Sequence, residues 1–492
     1  MPSTSNKGRQ PVSVGSRLEV FWDEYLIEGL TGAGLRLHRP VPQEVALVCD
    51  RPWEGNMCGY VTVFQDGDRC RMYYKGESLT IKDGKCVDDH PLLIAYAESA
   101  DGIRWHRPEL GLLEFEGSTR NNIVWFGPGE ARAGAHGFAP FKDENPACGP
   151  GARYKAVGAD LNCQQGLFAM HSPDGLRWSL IRPEPILTTA GIKANFAFDS
   201  QNLAFWDAVR GEYRLYFRDW REGGRGIRTA VSTDFLNWSA PEWLEYPGAP
   251  VEQLYTNQVI PYSRAPHVFV GFPTRYVERK WSEAVEALPE LEHRRLRSSV
   301  SERYGAALTD GLFMSSRDGR TFRRWPEAFV RPGPQLAGNW AYGDNYQNWG
   351  LIETPSTLPG APPEISLYVT ENYWRAARLR RWSIRVDGFV SVAAPLAGGE
   401  LVTRPLIFQG RRLVLNFSAS AAGCVQVEVL PPDAAAPLPG LALSDCVELL
   451  GDDLARPVRW RSGADLARLA GKPIRLRCVL KDADLFSMRF AD

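Results

Sequence analysis

The sequence predicts an all-β chain, a five-bladed β-propeller followed by a C-terminal β-sandwich, on three observations. A phrase of the type Ser-x-Asp-Gly-x-x-Trp recurs as SADGIRW (Ser99 to Trp105), SPDGLRW (Ser172 to Trp178), STDFLNW (Ser232 to Trp238) and SRDGRTF (Ser316 to Phe322), with a degenerate echo, IRVDGFVSV, around Asp387. Each of the four complete copies follows a short apolar run, and further runs of the same kind precede it. After about Ala394 the texture changes to longer segments in which apolar and polar residues alternate.

In chain order, residues 1–15 are polar and lack the apolar core of a secretion signal, so they read as a disordered tail on a cytoplasmic protein. The propeller is expected over 16–393. Its first unit places two strands around Asp66-Gly67 in GYVTVFQDGDRCRMYYKG and a third in LLIAYAES, before the phrase. The third unit repeats this in NLAFWDAVRGEYRLYFRDW and GIRTAV, and EISLYVTENYW serves near the end. Runs rich in β-branched and aromatic residues that end in Asp-Gly read as strand then turn. Three such strands, with a fourth after the phrase, make a four-stranded blade.

The phrase Asp residues, 101, 174, 234, 318 and 387, lie roughly 60 to 85 residues apart, too irregular for a solenoid but compatible with blades carrying loops of different length. Within the phrase, Asp and Ser hydrogen-bond their own turn, Gly supplies the positive φ and Trp packs between strands, which makes it scaffold. One stretch is helix-compatible, WSEAVEALPELEHRRLRSSVSERYG over 281–305, with Ser282 as N-cap and Pro289 as a break. Residues 394–492 read as the sandwich, and PPDAAAPLPG as a hairpin connection inside it.

Fifty-seven basic against 58 acidic side chains leave no net field to hold a nucleic acid or an anionic membrane, and no segment is apolar for long enough to span a bilayer. Nine cysteines without a C-x-x-C spacing argue against a disulfide framework or a zinc site. No G-x-S-x-G, P-loop, dinucleotide fingerprint or H-E-x-x-H is present.

A propeller gathers the beginnings of its innermost strands around one axial opening. That geometry selects Glu54 and Asn56 for the first blade, His136 for the second, and Asp199, Gln201 and Asn202 for the third. It selects Glu252, Gln253 and Asn257 for the fourth blade and Asp344, Asn345 and Glu353 for the fifth. Converging carboxyl groups supply the acid and base of glycosidic cleavage, and the amides beside them suit hydroxyl recognition. Asp199, Glu252 and Glu54 are the expected catalytic acids. The expected substrate-binding set is Gln201, Asn202, His136, Arg218, Asp219, Asn257, Arg275, Asp344 and Glu371, the last group drawn partly from second strands. The segment RDWREGGRGIR could clamp an anion or form an ion-paired hairpin tip. No cofactor is expected, with His136 the residue that an axial metal ion would use.

The phrases DSQNLAFWD, EQLYTNQ, GFPTRY, LYVTENY, GGELVTRPL and KDADLF, spread over both predicted domains, resemble five-bladed propeller glycoside hydrolases of families 32 and 43 with a C-terminal sandwich. The family 32 motifs are not intact: FWDEYLI at Phe21 matches the first only loosely, which would make Asp23 a nucleophile, and RDW at Arg218 shares two letters with the second. Family 43 resemblance would imply an acid from each of the first three blades, whereas the second offers His136. The expectation is therefore a glycosidase acting on chain ends of a carbohydrate. A glycoside phosphorylase on the same scaffold and a noncatalytic glycan-binding propeller are the alternatives.

Overall fold

The repeated phrase folds as a turn that caps itself. In the first copy the Asp101 carboxylate accepts the backbone N–H groups of Ile103 (2.8 Å) and Arg104 (2.9 Å), while Ser99 Oγ donates to Asp101 (3.0 Å) and accepts from Gly102 N–H (2.9 Å). The other three copies repeat these bonds around Asp174, Asp234 and Asp318. Gly175 has φ +79°, and a Cβ added there would meet the Tyr73 hydroxyl at 2.8 Å. That hydroxyl donates to the Gly175 carbonyl (2.9 Å), as Tyr216 does to Gly319 (2.7 Å) and Tyr368 to Gly102. Tyr73 and Tyr216 belong to the sheet preceding the one whose turn they hold, and Tyr368 of the fifth sheet holds the turn of the first, so the phrase locks different sheets together.

The computed structural model describes residues 10–188 and 197–492. The chain is all-β with a few short helices, and its described residues divide into two units, one of 40–188, 197–262 and 266–383, the other of 10–39, 263–265 and 384–492.

The larger unit holds five antiparallel sheets of four or five strands. The first runs Gly59–Asp66, Arg69–Lys82, Lys85–Ser99 and Ile123–Trp125; the second begins at His136–Lys142 and the third at Leu203–Asp207. The fourth begins at Ile260–Tyr262. Its central strand, Ala265–Gly271, stops where Pro273 has no N–H for a ladder, and Thr274–Val277 resumes in a separate three-stranded sheet. The fifth sheet orders Tyr346–Gln347, Glu364–Glu371, Arg378–Arg385 and, as its outer strand, Val41–Val48. The last sheet is thus completed by the first strand of the unit. First strands lie side by side: His136–Lys142 contacts those of both the first and third sheets, and Thr62 bridges Trp349. The helix-compatible insertion forms Glu283–Glu286, Leu291–Ser298 and Glu302–Ala306, with Ser282 Oγ accepting from Val285 N–H and Pro289 lying in the first break.

The smaller unit corrects two expectations. Strands Val12–Gly15, Glu19–Val20, Ile27–Thr31 and Gly34–Leu37 pair with strands from 390 onwards, so residues 16–39 are not part of the five-sheet unit and residues 12–15 are not a loose tail. Alternation of Val12, Val14, Phe21, Leu26 and Ile27 buries them beside Leu401, Leu406, Phe417 and Leu476. Asp23 lies in this unit, where it accepts Tyr25 N–H (3.0 Å). The fifth echo is likewise different: Asp387 is fully buried, accepting Arg264 (2.9 Å), Asn416 (3.1 Å) and Ser487 (2.8 Å) in a polar cluster. All nine cysteines are free thiols, and no helix among the described residues is long and apolar enough to cross a membrane.

Candidate active site

The segments that enter the five sheets meet in one closed circuit of contacts. Tyr60 opens the first sheet and His136 the second, with ring centroids 5.6 Å apart. His136 Nε2 lies 3.4 Å from Asp199 Oδ1, and the Arg218 guanidinium 3.0 Å from Asp199 Oδ2. Arg218 sits 4.9 Å from the ring of Tyr255, which precedes the fourth sheet. Tyr342 donates its hydroxyl to Tyr255 Oη (3.0 Å), and two residues later Asp344 accepts Tyr373 N–H (2.9 Å). Lys75 Nζ is 3.5 Å from Tyr373 Oη and 5.1 Å from the Tyr60 ring, which closes the circuit.

Local sequence explains why Asp199 stands where it does. Ser200 Oγ donates to Tyr255 O (2.9 Å). Gln201 Nε2 donates to Tyr60 O (3.0 Å) and Thr62 Oγ1 (3.1 Å). Asn202 Nδ2 donates to Phe198 O (2.9 Å) and Ser200 O (3.0 Å), and its Oδ1 accepts Arg218 N–H (3.2 Å). Three consecutive side chains thereby pin Asp199 between the first, third and fourth sheets. Gly137, at φ +64°, lets the second sheet approach: a Cβ there would meet Ser200 O at 2.3 Å. Tyr60, Gln258 and Asn345 also adopt positive φ at the entrances of the first, fourth and fifth sheets, a strain typical of positions where the surroundings over-determine the backbone.

The two carboxyls of the circuit are in opposite states. Asp199 keeps 34% of its side chain exposed; burial works to raise its pKa, but Arg218 and His136 outweigh it and hold the carboxyl well below the usual range. Asp344 is 3% exposed, with one oxygen lacking any partner among the described residues, and burial raises its pKa to about 7 against the lowering pull of Tyr373 N–H and Arg297. His136 is driven down by burial and up, to about 10, by Cys163 and Asp199. The Tyr60 phenol is kept protonated by burial. His136, Cys163 and Asp199 bring ligand atoms within 4.8 Å of one another, a donor set that suits a borderline-soft divalent cation. The Arg218 guanidinium already supplies positive charge to Asp199.

The remaining expected site residues are placed elsewhere or serve the scaffold. Glu54 is fully buried: Tyr74 donates to it (2.6 Å), as do Arg107 (2.8 Å) and Arg51 N–H (2.9 Å), so no face is left for a substrate. Gln201, Asn202 and Asn257 are buried and bonded within the protein, with Asn257 Oδ1 accepting Val259 N–H (3.2 Å). Asp219 is buried against Arg228 (3.1 Å) and Trp220 N–H (2.7 Å). Glu252 pairs with Arg324 and with Arg275 (2.8 Å), which also holds Asp310. Glu252, Arg275 and Asp310 line a separate depression of about 870 Å³ with Arg331 and Trp340, bounded by none of the circuit residues. Glu371 is neutralised by Arg378 (2.9 Å) and Arg380 (2.7 Å). Of the twelve expected residues, His136, Asp199, Arg218 and Asp344 belong to the circuit. The sequence reading missed Tyr60, Lys75, Cys163, Tyr255, Tyr342 and Tyr373; three of these, Tyr60, Tyr255 and Tyr342, lie within or beside the entrance segments, and treating rings as site residues there would have found them.

No protein-family model matches the chain, and no curated protein sequence does. Solved structures of glycoside-hydrolase type do resemble it. The catalytic domain of a Coprinopsis cinerea GH62 α-L-arabinofuranosidase matches at 9% identity and TM-score 0.44, over 70% of this chain and 97% of that one. An N-acetylgalactosamine deacetylase from F. plautii matches at 12% identity and TM-score 0.43, over 71% and 95%. A protein of the GH130 family, described as mannoside phosphorylases that include hydrolases of β-1,2 mannosidic linkages, matches at 12% identity and TM-score 0.43, over 74% and 96%. Likeness at this level assigns this chain neither reaction nor substrate.

Proposed function

We propose that this protein is a glycan-processing enzyme, a glycoside hydrolase that removes terminal sugars at the circuit around Asp199. In this reading the five sheets are the blades of a propeller, the circuit rims its axial opening, and the smaller unit is a β-sandwich. The observation that carries the proposal is the opposite state of the two carboxyls. Asp199 is ionised, partly exposed and held by Arg218 and His136, as a nucleophile or a water-activating base requires. Asp344 keeps its proton to about pH 7, as the donor to a leaving oxygen requires. The half-buried Tyr60 ring, beside His136 and Asp199, offers a flat face to a sugar. A site enclosed by sheet entrances favours chain ends over chain interiors.

The test is incubation of purified protein with a panel of aryl glycosides and plant or algal oligosaccharides, with and without inorganic phosphate, reading products by chromatography. Release of free sugar at a rate independent of phosphate is expected. Formation of a sugar phosphate would replace hydrolysis by phosphorolysis, and sugar binding without turnover would leave a glycan-binding protein.

A further inference from the structure

Four buried guanidinium groups in the larger unit are neutralised by carboxylates, Arg218 by Asp199, Arg214 by Asp207 and Glu212, Arg324 by Glu252 and Arg381 by Glu44, and two more, Arg294 and Arg297, donate to backbone carbonyls. Arg225 departs from this pattern. It is 8% exposed, donates one N–H to the neutral amide of Gln253 (2.6 Å), leaves Nε without a partner, and has no carboxylate in ion-pair reach among the described residues. Its guanidinium carbon lies 4.5 Å from the Trp220 ring, 5.1 Å from Tyr255 and 4.4 Å from Tyr276. Tyr255 is the ring that also carries Arg218, so the unneutralised charge stands one ring away from Asp199.

A second cation repeats the pattern across the Tyr276–Tyr342 pair, whose centroids are 5.9 Å apart. Arg303 donates only to phenol oxygens, those of Tyr342 (3.4 Å) and Tyr304 (3.2 Å), and it too has no carboxylate partner among the described residues. Aromatic faces attract a cation but do not cancel its charge. One buried and one half-buried guanidinium without a carboxylate partner raise the free energy of the empty site and lower it once an anion enters.

We infer that the site takes an oxyanion, carried on the glycan as a carboxylate or sulfate, with Arg225 as its anchor and Arg303 as the second positive group. The inference rests on the glycan-processing reading for its sugar part only, since anion capture is measured without turnover. The probes are D-glucuronate, D-glucose and inorganic phosphate, each titrated against the thermal unfolding midpoint of the wild-type protein, Arg225→Met and Arg303→Met, at two ionic strengths. A saturable rise in midpoint with glucuronate, absent with glucose and weakened at least tenfold in apparent affinity by either substitution, supports a sugar-borne anion. A rise with phosphate that is stronger than with glucuronate keeps the oxyanion site and assigns it to free phosphate. Because Arg225→Met removes an unneutralised buried charge, the ligand-free variant is expected to unfold at no lower temperature than the wild type. A strongly lowered midpoint in both variants, an equal response to glucose, or a glucuronate response that survives both substitutions would overturn the inference. Loss of the hydrolysis reading in the product assay leaves every one of these outcomes unchanged.

Discussion

Replacing Asp344 by Asn tests the buried acid through stability. The Asp344 carboxyl is raised from its ordinary value of 3.8 to about 7 by burial, facing Arg297, Arg294, Glu371 and the Tyr373 N–H. At about 1.4 kcal/mol per decade, that shift corresponds to roughly 4 kcal/mol. The sign follows from proton affinity: the folded carboxyl holds its proton more tightly than the unfolded one. Its contribution is therefore whole below pH 3.8, declines as pH rises, and is gone above about 7. Asn keeps an acceptor for Tyr373 N–H and cannot ionise, but it buries an amide that costs about 1–3 kcal/mol if unpaired. The stability of Asp344→Asn relative to wild type should then differ between pH 4 and pH 8 by up to about 4 kcal/mol, in favour of the variant at pH 8. Urea unfolding followed by circular dichroism at pH 4, 6 and 8 reads this difference directly. Equal offsets at the three pH values would refute the raised pKa and, with it, the role of Asp344 as proton donor.

Other consequences concern the scaffold. Glu54→Gln leaves Arg107 facing an amide in a buried setting and should cost about 3–5 kcal/mol in urea unfolding, with turnover per folded molecule retained. Asp174→Ala removes the acceptor of two backbone N–H groups in a turn that Tyr73 ties to the first sheet; a loss of about 1–2 kcal/mol is expected, with no change in KM. Glu252→Gln weakens its pairs with Arg275 and Arg324 beside the separate depression and should leave kcat within about twofold; a hundredfold loss, about 2.7 kcal/mol in the barrier, would return Glu252 to the catalytic set.

The periodic parts of the fold were legible because they are local. A Ser and an Asp two residues later close their own turn, with Gly at the next position in three copies and Phe235 in the other, so the four sheet turns could be found from the letters alone. The pairing of Val12–Gly15 with Leu406–Phe408 could not, since register across nearly 400 residues leaves no mark in either segment. The echo at Asp387 misled for a related reason: a left-handed Asp serves a buried polar cluster as readily as a turn.

At the site, the rule that sheet entrances converge pointed to segments that do meet in the circuit, but several of the side chains it selected are bonded within the scaffold. Glu54 and Gln201 are polar residues at entrances, yet their partners, Arg107 and Gln258, come from other loops and cancel their availability. A carboxylate in a sequence carries no sign of the arginine that will reach it. Asp199 differs in that its neighbours absorb the structural work and leave its own oxygens to Arg218 and His136.

The central claim is that Asp199 acts chemically. The most direct measurement is single-turnover cleavage of whichever aryl glycoside proves active, comparing wild type with Asp199→Asn at matched folded fraction. The account predicts a loss of at least 1,000-fold in kcat, about 4 kcal/mol in the barrier, with substrate affinity within about tenfold. An Asp199→Asn variant that turns over at the wild-type rate would contradict it.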